Sequence, residues 1–408
     1  MNNTPYSVSN LPSATPNLPV SEGISDLDVV FSYIVNTLLG ISLIILLILG
    51  IYLATYLIFR HRRKQNFTNL VTFEVRLQEK NESKIQAADQ MFNALHSIKR
   101  SFPENLTTGE ITLAWEVIGT KEGIKFFVSC PSELETIVEK TIYAYYQDAD
   151  VSKSEPVMLT LNKGDKLKMG FLLQKEAAFR PIKTYKELAV DSLSNITSVM
   201  SNLAEGELVA LQVLTQAADN NWKKEARKFV AETQKKENDP EKKVLVKTNP
   251  QILSKIEEMA NQFAFKTVVR YAVISFDSSR TSRHSQNITT AFAQFSNEVN
   301  SFKNYKPTFL GSLKKNFEMR SFPFGWFNKK YSILSTEELA TVFHFPSKDV
   351  TTPLINWLKS KTAPVDPLVP SGDGTIIGMA YHRGNRRPVA ISEKDRMRHM
   401  YVLSLIHI

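Results

Sequence analysis

One stretch limits every fold this chain can adopt. Val29 to Phe59 contains no Asp, Glu, Lys, Arg or His, and its centre, Gly40 to Leu53, is almost wholly Ile, Leu and Gly. A helix needs roughly 20 apolar residues to cross a bilayer core, at about 1.5 Å of rise each. Lipid offers no partner to a backbone amide, so such a span must be helical. A buried helix of a soluble domain is shorter and keeps a polar stripe. Residues 29–59 are therefore expected to form a transmembrane helix.

The flanks orient it. Arg60-His-Arg-Arg-Lys64 follows at once, and no Lys or Arg precedes Arg60. Cations stay on the cytoplasmic side, so Arg60, Arg62, Arg63 and Lys64 are read as the topology determinants. The expected arrangement is a single pass of the inner, cytoplasmic membrane, with the N-terminus outside and the main domains in the cytoplasm. Residues 1–28, rich in Asn, Ser and Pro, read as a disordered extracytoplasmic tail, and residues 60–69 as a basic juxtamembrane collar. A cleaved signal peptide would need a basic n-region and a shorter apolar core.

The charge lies after the anchor. Of 41 acidic residues only Glu22, Asp26 and Asp28 precede Arg60, so 38 acids face 50 bases beyond it, a balance of +12. That suits a face near anionic lipid or nucleic acid, or ordinary solubilising charge. Cys130 is the only cysteine, which excludes an internal disulfide and a multi-thiolate metal site and fits a reducing compartment.

Periodicity predicts an α+β fold. Leu70 to Leu77 alternates as a strand, and Glu82 to Arg100 repeats at helical spacing. Glu110 to Ile118 and Ile124 to Ser129 read as a hairpin. Ser132-Glu-Leu-Glu135 reads as a capping box that opens the next helix. A fourth strand is expected at Val157–Leu161 or at Lys168–Gln174. The order β-α-β-β-α-β is that of a ferredoxin-like sandwich, assigned to residues 70–180.

A second α+β unit is expected over residues 181–349. It carries helices at Asp191–Ala204, Trp222–Gln234, Gln251–Ala264 and Ile288–Val299, and strands at Leu208–Leu214 and Thr267–Ser275. The pattern repeats the first unit with a helical pair inserted between its central strands. Residues 350–374 read as a Pro-rich linker, and Thr375–Ala380 and Arg387–Ile391 as the first strands of a further domain over residues 375–402.

Few residues suggest binding, and none suggests catalysis. Within Asn304–Lys330, cations and rings interleave: Lys314, Lys315, Arg320, Trp326, Phe327, Lys329 and Lys330 are the candidate nucleic-acid contacts, by charge and base stacking. The same residues could pack a loop onto a domain or rest on the membrane. No G-x-x-x-x-G-K-[ST], H-E-x-x-H, C-x-x-C or G-x-S-x-G pattern occurs. No catalytic, cofactor-binding or metal-ligating residue is therefore assigned.

Four segments carry a family resemblance: Pro181-Ile-Lys-Thr-Tyr185, Trp222-Lys-Lys-Glu-Ala-Arg-Lys228, Ser335-Thr-Glu-Glu-Leu-Ala-Thr-Val-Phe-His-Phe-Pro346 and Asp395-Arg-Met-Arg-His-Met-Tyr-Val402. In this order they resemble the N-terminal half of a membrane-anchored P-loop ATPase family. The family is of the HerA/FtsK and TraG/TraD-like clade, associated with type IV secretion and conjugation and found in many candidate-phyla bacteria. The resemblance implies the anchoring and regulatory region of a DNA- or protein-translocating motor, with ATP and Mg bound by the full-length parent. It implies a homo-oligomeric ring, other secretion-system components as partners and DNA as a candidate partner. It also implies that Thr375–Val402 opens a truncated RecA-like domain just before the phosphate loop. Leu403-Ser-Leu-Ile-His-Ile408 departs from the family there and is read as adapter-derived, residues 403–408. The alternative is a non-enzymatic membrane scaffold, or a ligand sensor with cytosolic ferredoxin-like domains.

Overall fold

The computed structural model describes residues 22–101, 109–237, 249–306, 310–322, 331–359, 363–382 and 385–398. The chain divides into two compact units, Met1–His61 and Arg62–Ile408.

Helix α1 spans Glu22–Thr68. Within it Asp28–Thr55, with mean hydropathy 2.7 and none of its surface buried, is long and apolar enough to cross a membrane. Both threonine hydroxyls inside this stretch are satisfied by the helix itself. Thr37 Oγ1 donates to Tyr33 O and Thr55 Oγ1 to Tyr52 O, each at 2.9 Å. That is the condition an apolar surround imposes on polar groups. Arg60, Arg62, Arg63 and Lys64 lie on the continuing helical backbone, so the basic collar extends the helix instead of breaking it.

The second unit is built on one nine-stranded antiparallel sheet. Its first elements are β1 (Leu70–Arg76), α2 (Ile85–His96), β2 (Leu113–Thr120), β3 (Gly123–Pro131), α3 (Glu135–Tyr145) and β4 (Asp150–Ser154). There follow β5 (Lys166–Gln174), α4 (Ser192–Ser198), β6 (Leu208–Ala217), α5 (Asn221–Glu237) and α6 (Pro250–Asn261). Last come β7 (Ala264–Ser275), α7 (Ser278–Ala291), β8 (Phe302–Tyr305), α8 (Leu310–Glu318), β9 (Ser332–Ser335) and α9 (Thr336–Val342). The strand order is β4-β1-β3-β2-β6-β7-β5-β8, with β9 beside the start of β7. Each half has its first strand between its third and its fourth. The halves meet where β2 pairs β6, from Leu113↔Thr215 to Gly119↔Val209.

Alternation along the strands gives the sheet two unlike faces. Phe73, Trp115, Val128, Leu172, Val213 and Val269 point to one face, where α2, α3, α4, α7 and α9 cover them in a single core. Trp115 sits at its centre, edge-on to Phe92 at 5.1 Å, and its indole N–H reaches Thr215 Oγ1 at 3.0 Å. The opposite face carries a smaller cluster of Ile118, Phe127, Met169 and Ala272 under Leu313 and Phe317 of α8.

Several expectations need correction. The strand that closes the first half is Asp150–Ser154, paired with β1, whereas Lys166–Gln174 pairs with β7 and β8 and belongs to the second half. The Ser132/Glu135 capping box does not form. Ser132–Leu134 is a 3-10 turn, and Glu135 instead binds Lys153 at 2.6 Å. The helix expected at Ile288–Val299 starts at Ser278, where Asp277 accepts from the Ser279 amide. Its buried Thr281, His284 and Ser285 hid the apolar period. Residues 350–358 are not a free linker. Ile124 N donates to Leu354 O, Asn356 N to Ile124 O and Leu358 N to Leu77 O, continuing the lane of β1 beside β3. Beyond them β10 (Thr375–His382) and β11 (Asn385–Ile391) form a separate two-stranded hairpin, with Ile376 and Ile377 more than half exposed.

Candidate functional site

The second unit concentrates its polar chemistry in two places. The first is a row that crosses the sheet through directly opposed residues: Glu74, Phe127, Glu116, Gln212, Arg270 and Phe171. Glu116, Gln212 and Arg270 are fully buried there. Gln212 Nε2 donates to Glu116 Oε1 and to Phe317 O, and Arg270 Nε donates to Gln212 Oε1 at 2.9 Å. Arg320 reaches the same carboxylate, Nη2 to Glu116 Oε2 at 3.0 Å.

One carboxylate thus pairs directly with Arg320 and, through Gln212, faces Arg270. The end of α8 supplies further acceptors, since the last carbonyls of a helix lack intrahelical partners and carry partial negative charge. Arg270 donates to Asn316 O at 3.2 Å and Arg320 to Glu318 O at 2.6 Å; beyond the helix, Arg270 also donates to Ser321 O at 3.0 Å and Arg320 to Val157 O at 3.1 Å. Burial pushes the Arg270 guanidinium down to about 9, against the pull of Glu116. Ser321 N bonds Asn316 O and Arg320 N bonds Phe317 O, the paired bonds of a Schellman motif. Arg320 takes the left-handed position, φ +48°, where glycine is usual. The ion pair with Glu116 holds it there.

The second place is where two of the family-like segments meet. Every residue of α9 is buried. Ser335 and Glu338 form a complete capping box, and Glu338 Oε1 also accepts from Ile182 N at 2.8 Å. Tyr185 N donates to Thr341 Oγ1 at 3.0 Å. His344 lies between Ala340 O and Asp191 Oδ1, 2.9 Å from each, and Asp191 caps α4 through Leu193 N. Burial pushes the Glu338 carboxyl up to about 7, although two backbone amides favour its charge. Asp191 is raised by burial, but His344 and the cap amides hold it below the usual range. The segments Pro181–Tyr185 and Ser335–Pro346 therefore interlock as core structure. The third segment behaves alike: Trp222 is buried against Ala218 and Ala264.

Two open clefts mark this unit. One, of about 540 Å³, lies between these segments and α6. Its charges pair with each other, Lys186 with Glu337 at 2.7 Å and Lys255 with Glu187 at 2.5 Å. The other, of about 560 Å³, runs along the start of β5. Among the described residues no group of three or more His, Cys, Asp or Glu is placed to hold a metal.

Of the candidate nucleic-acid contacts, Lys314, Lys315 and Arg320 lie among the described residues. Lys314 is half-buried and paired with Glu318 at 3.2 Å, and Lys315 is exposed on α8. Arg320 is interior, committed to Glu116, and offers no surface to a nucleic acid. Trp326, Phe327, Lys329 and Lys330 lie outside the described residues, as do Tyr401, Val402 and residues 403–408. The reading from sequence missed Glu116, Gln212 and Arg270. The available signal was one polar residue inside each apolar run: Trp-Glu-Val, Leu-Gln-Val and Val-Arg-Tyr.

Residues 61–358 match a family described as a domain of unknown function, DUF8128, and the chain belongs to that family. The match ends at Leu358, where the lane beside β3 ends. No curated protein matches the chain. Among solved structures, the crystal structure of aclacinomycin oxidoreductase is 11% identical with a TM-score of 0.27. The alignment covers 55% of this chain and 41% of that one.

Proposed function

We propose that this chain is the membrane-anchoring and assembly region of an ATP-driven translocating motor of the HerA/FtsK and TraG/TraD-like kind, without an ATP site of its own. The observation that carries the reading is the sequence of parts: an apolar helix followed by cations, then a sheet unit whose buried acids Glu116, Glu207 and Glu338 are occupied in structural bonds, then a hairpin with an apolar surface. In this reading α1 crosses the cytoplasmic membrane with the cations of Arg60–Lys64 inside.

The sheet unit is two ferredoxin-like sandwiches joined edge to edge. The order β4-β1-β3-β2, repeated as β8-β5-β7-β6, supports that assignment. The paired charges of the 540 Å³ cleft favour an assembly role over ligand sensing. The β10–β11 hairpin is the opening of a RecA-like sheet, and exposed Ile376 and Ile377 would be covered by later parallel strands and their crossover helices.

The coding sequence beyond the codon for Val402 tests the motor reading. A G-x-x-x-x-G-K-[ST] loop is expected within about ten residues. A stop codon directly after Ile408 in the assembled genome would remove it. Protease added to intact cells tests the anchor: only the first residues should be trimmed, and digestion beyond residue 65 would reverse the topology.

A further inference from the structure

The start of β1 shares one end of the sheet with a crowded group of cations. Register places Leu70 beside Pro131, Ala114 beside Ser129, Leu113 beside Thr215 and Ala217 beside Phe265. Thus β1, β2 and β7 begin at this end, and β3 and β6 finish there. Helix α5 leaves from it, and α6 and α2 return to it. The ring of His96, the last residue of α2, stacks on Phe263 with centroids 4.5 Å apart, and Lys223 Nζ of α5 lies 5.5 Å from the centre of the Phe263 ring. Phe263 stays 49% exposed. One turn along α5, Arg227 reaches Asn261 Oδ1 at 3.4 Å, just before Phe263 in the chain.

These cations are set against each other. Burial first, and then Arg227 and Lys99, hold the Lys223 ammonium below the usual lysine range. Lys223 and Arg227 stand four apart on one helix face, a like-charge spacing that destabilises a helix. Helical periodicity puts Lys224 and Lys228 alongside them. Lys228 is paired with Glu232 at 3.8 Å, and Asp219 is taken up by Asn221 at the start of α5. Lys99, Lys224 and Arg227 are exposed, and neither they nor Lys223 have an ion-pair partner among the described residues. Cations close to a membrane are drawn to anionic lipid, and a Phe ring among them suits the headgroup boundary. His96 and Lys223 already lie against the Phe263 ring, which disfavours base stacking and leaves headgroup phosphate as the matching chemistry.

We infer that Lys99, Lys223, Lys224 and Arg227, grouped around Phe263, bind the phosphate headgroups of anionic lipid. The inference rests on the anchored reading of α1, in which the chain passes from the bilayer into β1. The lipid phosphates then supply the negative charge that these four cations lack, and the open edge of Phe263 meets the headgroup boundary.

The full chain in lipid nanodiscs tests this, with Ala231→Cys carrying an environment-sensitive nitrobenzoxadiazole dye. Ala231 is exposed one turn beyond Arg227, and Cys130 is buried with its thiol pushed up to about 12, so the dye goes to the new thiol. Discs of phosphatidylcholine alone are compared with discs of an equal mixture with phosphatidylglycerol. Brighter, blue-shifted emission is expected in the mixture only. Raising salt from about 0.1 M to about 1 M should erase the shift, because the Debye length falls from about 10 Å to about 3 Å. Lys223→Glu combined with Arg227→Glu should abolish it, and the single exposed change Lys99→Gln should reduce it. Equal emission in both lipids overturns the inference. A shift that survives both variants assigns lipid binding to the Arg60–Lys64 collar and overturns the patch. Oligothymidine binding that the double variant loses, with no lipid-dependent shift, overturns the choice of partner. A chain that does not enter the discs refutes the anchor and the inference with it, whereas an inserted chain without the shift refutes the inference alone.

Discussion

The two halves of the sheet share a strand order and differ in how they treat charge. In the first half, Glu74 lies on the row that crosses the sheet but stays half-exposed, with Asn356 Nδ2 at 3.0 Å. Two strands along the same row, Glu116 is fully buried and holds Arg320 and Gln212. The second half also has a buried acid just before β6, Glu207, clasped by Arg280 through both carboxylate oxygens and bonded by Ser275 Oγ. The first half is a sheet that tolerates its acid at the surface. The junction and the second half are organised around acids that water cannot reach. The outer strands β1 and β3 bury apolar residues and a Thr72–Ser129 hydroxyl pair, whereas from β2 onward the sheet also buries charged groups, which are costly unless their partners are present.

The largest expected effect breaks that contrast at the junction. Glu116→Leu leaves two buried guanidinium groups without a carboxylate and should cost about 3–5 kcal/mol, the range for removing one partner of a buried pair. Glu74→Leu should stay within about 0.5 kcal/mol, as surface changes do. Thermal unfolding of the detergent-solubilised chain, followed by tryptophan fluorescence, compares them. Equal losses would mean that the two acids are equivalent after all.

A second, smaller effect is in pH. The Arg280 guanidinium holds the Glu207 carboxyl down at about 2, from an ordinary 4.5. A depressed acid stabilises the fold above its unfolded value, so this contribution is lost as pH falls from 4.5 toward 2. Glu338 runs the other way. Burial raises it from 4.5 to about 7, so its contribution is full below 4.5 and lost as pH rises to about 7. Melting curves against pH should lose the acid-side fall in Glu207→Gln and the rise-side fall in Glu338→Gln. Curves parallel to the parent in both variants would show that neither carboxyl is linked to folding.

The smallest effect separates two Ser-x-x-Glu segments that look alike. Ser335→Ala removes a formed capping box and should cost about 1 kcal/mol. Ser132→Ala removes a hydroxyl that caps nothing and should cost less than about 0.5 kcal/mol. The same unfolding assay measures both, and a larger loss at Ser132 would contradict the observed geometry.

These two segments show the limit of local reading. Ser335–Glu338 and Ser132–Glu135 carry the same signal, and only the first becomes a box. Glu135 is drawn away by Lys153 of β4, a partner that no short window contains. The interior row was legible only as isolated polar residues in apolar strands. That Glu116, Gln212 and Arg270 stand opposite one another follows from strand register, which joins residues 96 and 58 positions apart.

By itself the amino-acid sequence determined the apolar span within Val29–Phe59, the β2–β3 hairpin, the core face of α2 and the helical pair between β6 and β7. Each is a short-range pattern of hydrophobicity, turn residues and charge, and its physics acts within one element. Tertiary structure decided which strand closed which half. Asp-Val-Ser-Lys-Ser at β4 and Phe-Lys-Asn-Tyr at β8 have too few apolar residues to declare themselves. They are strands because β1 and β5 offer them open backbone edges. Tertiary structure also decided that Arg320 is interior and that residues 354–358 continue the sheet, since hydrogen bonds between distant segments, invisible in any local window, determine both outcomes.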